Sequence, residues 1–593
     1  MWSIVPLTAF CVLWYGCYQY FLNGSIAFFI TAAIWGGTVF VLTESLSFFH
    51  ALSFFPLLIG WSLFLAAVIG WACPRWQWPQ WKNPFLIFSQ WALVEKALFL
   101  FIVGIVMIKG FSAWVSAPNT ADAMSYHLSR IEHWIQDASL THYPTHILRQ
   151  LYYPVGAEYI VMHLMILSGG DHLANLVQWF ACVGSLVAVY GLAALLGCDR
   201  RGQLLAVFLA VTLPMGLVQA TSTQTDYVLT FWLAGFVYLL WNLYQQPRLA
   251  LALGSGICLG LALLTKGNAY IYAPIWLLIY AAAGLRTPQR QRHGVFLVLM
   301  ILVALLFSFS YGMRNIKTFG NASLPAASLT NATISPSIIG SSLLQNLRLH
   351  VGTLKPSTGE DDAGNGVYVL IFLIVLVAMA LHPRLRNQRY WTYAGALFFM
   401  FVFFCTVVRF QPWNSRFHLS IFVLSCPLAA AVLSYLIGRW VILAAAVVFA
   451  CCWPWLMVCN EHPFLGPKSI LATSRVQQYF SERPDLILPY VLTVHGVQSL
   501  QCRDIGLIEG VDSWEYPWWV LLHEVYGQGF RLENVDVHNE SAHLDLPKGA
   551  FDPCVLIAEG DSRTSIVLPE GRYLRAWFID LPQGLTSIFI KDH

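Results

Sequence analysis

The sequence predicts an all-α polytopic membrane bundle with a small C-terminal α/β or α+β domain. Three observations predict it. Of 593 residues, 58% are hydrophobic, and mean hydropathy is +0.62. Charged residues make up only 11%, against roughly 25% in soluble chains. The apolar residues also come in long blocks, which excludes one large soluble core.

A spanning helix takes roughly 20 apolar residues. Blocks of that kind fall at 3–20, 25–43, 51–73, 92–111, 173–197, 203–220, 227–245, 249–265, 269–285, 294–312, 367–381, 391–408, 417–437 and 440–458. They amount to about fourteen spans. The first block lacks a basic n-region and does not read as a cleavable signal. Polar regions interrupt the pattern at 112–172 and 313–366 and from 459 onward. The predicted organisation is a membrane region over 1–458 and a soluble domain over 459–593.

Loop charge orients the bundle. One alternate set of loops holds Arg75 and Lys82, Arg200 and Arg201, Arg248, the group Arg286, Arg290 and Arg292, then Arg384, Arg386 and Arg389, and Arg439. Cytoplasmic loops carry the basic excess, so all three polar regions lie outside. The expectation is a multi-pass protein of the inner (plasma) membrane with an extracytoplasmic tail. A net charge of +3 gives no sign of a nucleic-acid partner.

In the tail, Tyr490–Val494, Val555–Ala558 and Leu585–Ile590 read as strands, with a helix near 470–482. Cys502 and Cys554 can pair there if the compartment is oxidising. The segment Asp512–Trp519 concentrates aromatics, either as a docking or interfacial surface or as a substrate-facing platform. Asn321, Asn331 and Asn539 open Asn-x-Ser/Thr sites in outer regions.

The 112–172 loop carries the chemistry. Leu128, Ile131, Trp134 and Ile135 fit a helix lying along the membrane surface with one apolar face. Asp122 stands just before it, as a helix cap or as a reactive carboxylate. His142 and His146 are four apart, but Pro144 spoils the helix that would join them on a metal. No metal site is expected. Further ionisable residues sit at outer span ends: Asp226, Lys266, Arg314, Arg409 and Arg416. Each alone can snorkel to the interface. Together, carboxylates and cations on one face are what an anionic phosphate and a proton-accepting base require.

Several segments resemble the GT-C superfamily of membrane glycosyltransferases. They are Asp122-x-x-x-Tyr126-His127, Tyr153-Pro-Val-Gly-Ala-Glu158, Thr225-Asp226, Leu264-Thr-Lys-Gly267, and Arg314-Asn315 followed by Phe319-Gly-Asn321. The nearest group is the bacterial dolichyl-phosphate-mannose protein mannosyltransferase-like proteins, which include the aminoarabinose transferases of lipid A. The resemblance covers residues 92–440. It implies transfer of a sugar from a polyprenyl-phosphate donor to a glycan, lipid or protein acceptor at the outer membrane face, among membrane lipids and without a cofactor. It implies that Asp122 is the base or orients the acceptor. The usual second acid is missing, because Ala123 follows Asp122, which leaves Asp226, Glu132 or Glu158 as the partner carboxylate. Lys266, Arg314 and Arg416 are the candidates for holding the phosphate. Tyr126, His127, Glu132, His146, Arg149, Tyr153 and Glu158 are candidate acceptor or loop contacts.

A metal-independent inverting displacement suits this set, since the leaving phosphomonoester is already an acceptable anion. Two other readings share these features. A transporter or flippase commonly shows paired repeats with broken helices at mid-membrane, and no such repeat is visible. An oligosaccharide ligase or polymerase uses the same kind of donor but transfers a chain.

Overall fold

The structure, a computed structural model, describes residues 2–75, 88–322, 335–351, 359, 363–581 and 584–592. Lys82 and Asn331 lie outside the described residues.

Among the described residues, nine helices are long and apolar enough to cross a membrane, beginning with Ile4–Phe21, Gly24–Phe48, Phe54–Ala72 and Leu93–Val115. Four shorter apolar helices, Leu249–Thr265, Ala269–Gly284, Gly366–Leu381 and Val441–Met457, stand where further spans are expected. The block at 203–220 is not one helix. It breaks into Arg200–Val211 and Pro214–Gln219, because Pro214 lacks an N–H and disfavours helical backbone at the residue before it. The outer face of the bundle is apolar: Val295, Leu302, Leu306 and Phe309 along helix Arg290–Phe319 are each at least 60% exposed. Lipid rather than water suits such a face.

The basic loops gather at one end. Arg200 approaches Glu95 at 3.9 Å, the Tyr390 hydroxyl donates to the Leu196 carbonyl at 3.2 Å, and Arg384 donates to the Tyr435 hydroxyl at 3.4 Å. The polar region at 112–172 occupies the opposite end, with the C-terminal domain packed on it.

That domain holds one six-stranded sheet in the order β2-β1-β3-β6-β5-β4. The strands are β1 (Asp504–Ile508), β2 (Arg531–Asn534), β3 (Val555–Glu559), β4 (Ser565–Leu568), β5 (Gly571–Leu581) and β6 (Gly584–Lys591). The first three run parallel and the rest antiparallel. A Cys502–Cys554 disulfide joins the entries of the neighbouring strands β1 and β3. One expected strand is wrong: Tyr490–Val494 belongs to helix Ile487–Ser499. Its buried residues Tyr490, Val494 and Val497 recur at helical spacing, and that period overrides the β-propensity of a short run. The helix near 470–482 shortens to Arg475–Tyr479, started by a Ser474/Gln477 capping box.

The expected amphipathic helix forms as Leu128–Asp137, but protein covers both its faces. Trp134 packs edge-on to Tyr159 of the bundle. On the other face Gln136 donates to the Leu532 carbonyl, and His133 Nε2 meets Glu515 Oε1 at 2.8 Å with both side chains fully buried. Glu515 also accepts from Trp519 Nε1 at 2.9 Å and Gln150 Nε2 at 2.6 Å. Asp171, at the other edge of the outer loop, binds Arg475, Tyr479 and Tyr516. Asn539 is engaged as well, donating to the Thr145 carbonyl at 2.7 Å. The aromatic segment Asp512–Trp519 is therefore a docking surface.

Burial would raise the Glu515 carboxyl, but the His133 charge and the donors around it outweigh burial and hold it at about 2. Burial lowers His133, and Glu515 overcomes that to raise it above its ordinary value. Stability from Glu515 is present above 4.5 and lost as pH falls toward 2. Stability from His133 is complete below 6.5 and lost as pH rises through its raised value. The pair therefore contributes most between those limits. Removing one member strands the other in the interior, so Glu515→Ala lowers stability by roughly 3–5 kcal/mol. Thermal melting should show this loss at pH 6, with the gap from wild type narrowing as pH falls below 4.5.

Candidate active site

The site is built where four chain segments meet at the end of the bundle that the C-terminal sheet covers. The first follows helix Leu93–Val115. There Ala123–His127 forms a π-helical turn, closed by the Leu128 N–H on the Ala123 carbonyl. Asp122 occupies the cap position of this turn, yet its side chain makes no capping hydrogen bond. Instead Asp122 Oδ2 accepts from Arg416 Nη2 at 2.7 Å and from Gln224 Nε2 at 3.3 Å. Of the two readings of Asp122, the cap is not what this geometry supports.

The second segment opens helix Asp226–Gln245, whose first residue pairs with Lys266 (Oδ1 to Nζ, 2.6 Å). The other oxygen, Asp226 Oδ2, is buried without a hydrogen-bond partner. The third segment is the turn after helix Leu249–Thr265, which carries Lys266. The fourth is the short helix Asn414–Phe417, which carries Arg416. The Phe417 ring joins the two ion pairs, with Lys266 Nζ 4.7 Å and Arg416 Cζ 5.3 Å from its centroid. Cations favour an aromatic face, more so when desolvated.

Tyr126 and Tyr153 stand beside this group with ring centroids 5.3 Å apart. Arg149 lies 5.2 Å over the Tyr126 ring and reaches the C-terminal domain, donating to Asp512 Oδ1 and to the Val511 carbonyl. Burial raises the Asp122 carboxyl, but Arg416, His127 when charged and Arg149 outweigh burial and hold it well below the carboxylate range. Asp122 is therefore ionised at any physiological pH. Burial, together with the charge of Asp122, raises the Tyr126 phenol, which stays protonated as a donor.

The structure brings Asp122, Asp226, Lys266, Arg416, Tyr126, Tyr153 and Arg149 together. The remaining candidates have other partners. Arg314 makes a two-pronged contact with Glu44 at 2.8 and 3.0 Å and also donates to the Tyr159 hydroxyl, tying three helices together. Glu158 accepts from His127 Nδ1 at 2.5 Å and from Arg130. Glu132 meets His523 at 3.3 Å. His146 Nε2 contacts the Val535 carbonyl at 2.9 Å, and His142 contacts the Thr318 hydroxyl, so these two histidines turn to different neighbours.

Sequence reasoning missed Glu44, Arg130, Gln224 and Phe417. Glu44 was findable, as a carboxylate inside the apolar run Phe40–Phe48. Phe417 had no local signal, because its role comes from cations supplied by distant segments.

Gly156, in the segment Tyr153–Glu158, accounts for part of the convergence. A Cβ on it would lie 2.7 Å from Thr265 Oγ1 and 3.2 Å from the Leu264 backbone. Only glycine lets the start of helix Gly156–Ser168 abut the residues that precede Lys266.

A family model described as dolichyl-phosphate-mannose-protein mannosyltransferase matches residues 153–311. That stretch holds Gly156, Glu158, Asp226 and Lys266. Lipid A galacturonosyltransferase RgtD of Rhizobium johnstonii is 25% identical over 192 residues, which is 30% of this chain and 38% of that protein. The match thus spans well under half of the relative's length. The crystal structure of ArnT from Cupriavidus metallidurans bound to undecaprenyl phosphate superimposes with a TM-score of 0.51 at 14% identity, covering 83% of this chain and 97% of that one. The chain has this membrane fold and resembles the GT-C glycosyltransferases to which its motifs pointed.

Gly156→Ala is expected to cost about 1–3 kcal/mol through overpacking, read as a lower melting temperature. Gly267→Ala is the control: nothing lies within 4 Å of its added Cβ, and its melting should stay at wild type.

Proposed function

We propose that the protein is a membrane glycosyltransferase that moves a sugar from a polyprenyl-phosphate carrier to an acceptor at the outer face of the cytoplasmic membrane. In this reading 1–458 form the catalytic membrane region, with fourteen spans, and 459–593 form an extracytoplasmic domain in the inner (plasma) membrane protein. The observation that carries it is the pair of carboxylate–cation bridges, Asp122–Arg416 and Asp226–Lys266, meeting on the Phe417 ring at one end of the bundle. The shared fold supports it, since ArnT holds undecaprenyl phosphate on that fold.

Lys266 and Arg416 receive the donor phosphate, Lys as a point charge and Arg through its planar fork. Both are already poised by carboxylates, so an incoming phosphate competes for cations that are in place and desolvated. The acceptor hydroxyl loses its proton to Asp122 as its oxygen attacks the anomeric carbon. The bond from that carbon to the phosphate oxygen breaks, and its electron pair leaves with the carrier phosphate. Inversion follows from the direct displacement. Tyr126, Tyr153 and Arg149 border the acceptor side. The chemistry asks for positioning, charge stabilisation and one proton acceptor, and the reading assigns no metal. Arg314, held by Glu44, supports the helices that frame the site.

The test is reconstitution of the purified protein in liposomes with a labelled polyprenyl-phosphate sugar and a membrane-extracted acceptor pool. Free polyprenyl phosphate should be released. Asp122→Asn should lower that rate by roughly 10²–10⁴-fold. Lys266→Met should raise the donor KM by roughly 10–100-fold, as expected for losing a charge-assisted contact. Movement of the intact carrier across the bilayer without bond cleavage would sink the enzyme reading.

A further inference from the structure

The resemblance leads one to expect a second acid beside Asp122, and Ala123 stands there. The π-helical turn supplies a different neighbour. In such a turn residues five apart are bonded through the backbone, i to i+5, so Asp122 and His127 come onto one face. An α-helical turn would splay them. π-bulges of this kind are frequent at functional sites.

His127 is set up as half of an acid–base pair. Glu158 Oε1 lies 2.5 Å from His127 Nδ1 and also accepts from the fully buried Arg130. An ionised carboxylate only accepts, so Nδ1 carries a proton, and in the neutral imidazole Nε2 carries the lone pair. That Nε2 is buried without a hydrogen-bond partner, in a residue only 5% exposed. A buried unmet acceptor is costly and calls for a role. The charged and titratable groups facing this imidazole are Asp122, Tyr126, Glu158 and Arg130. Arg416 and Arg149 surround Asp122 beyond them.

We propose that His127, oriented by Glu158, is the second proton acceptor of the transfer, taking from Asp122 the proton that leaves the acceptor hydroxyl. This rests on the transferase reading above. Asp122 is bound by Arg416 and Gln224, and a carboxylate so held keeps a proton poorly. The proton passes from the acceptor oxygen to Asp122 and then to His127 Nε2. There Glu158 stabilises the imidazolium, which returns the proton to water when the products leave. The sugar–oxygen bond made and the sugar–phosphate bond broken are unchanged.

The experiment is the pH profile of kcat for carrier release, in the same liposomes, for wild type and His127→Asn. Asparagine keeps an N–H for Glu158 at the Nδ1 position and deletes Nε2. Wild-type kcat should rise from acid toward neutral pH, as a step that needs a free proton acceptor requires. The variant should lose roughly 10²–10³-fold in kcat, lose that rise, and keep the donor KM. A variant with reduced kcat but the same rise has lost only support for the turn, which overturns the proposal, as does an unaltered variant. A flat wild-type profile overturns it without any variant, which covers a variant that fails to fold. Absence of carrier release by wild type withdraws the transferase reading and this proposal with it. Release by wild type leaves the reading standing whatever His127→Asn does.

Discussion

A charge placed at the end of an apolar bundle must be paired, because the interior cannot solvate it. That constraint organises this protein. Arg416 answers Asp122, Lys266 answers Asp226, Arg314 answers Glu44 and Arg130 answers Glu158. Each pair joins different helices or turns, so pairing the charges also fixes which elements meet. The pairs also differ in what they leave over. Arg314 and Glu44 satisfy each other at both ends of the fork, whereas Asp226 and His127 each keep one buried polar atom without a partner. The first arrangement is a brace. The second has capacity for chemistry.

The aromatic ring between the two outer pairs changes their character. Lys266 and Arg416 are each neutralised by a carboxylate, and both also lie against one aromatic ring. The face of Phe417 supplies negative density without adding a charge. The two cations can then sit near one another.

Much of this was legible in the sequence. Apolar blocks and alternating loop charge located the helices and grouped the basic loops at one end, and rarity of charge in apolar surroundings picked out Asp226, Lys266 and Arg416. What was not legible has specific causes. The break at Pro214 was hidden in a block whose mean hydropathy suits a span. Tyr490–Val494 looked like a strand because five residues are too few to display a helical period. The helix at Leu128–Asp137 was recognisable as amphipathic, but nothing local says that its polar face meets protein. His133 and Glu515 are 382 residues apart, and a sequence pattern has no reach over that distance. The same holds for Arg314 and Glu44: each stands out as a charge in apolar surroundings, but nothing local pairs them.

The docking of the C-terminal sheet onto the first outer loop also sets an order of assembly. During synthesis the loop helix leaves the ribosome long before the residues that satisfy His133, Gln136 and Gln150 exist. At translation rates of roughly 5–20 residues per second that delay lasts tens of seconds. Through this interval the segment bearing Asp122 lacks its lid of hydrogen bonds and its neighbours are only partly solvated. The surroundings of Asp122 are therefore among the last parts of the molecule to be completed.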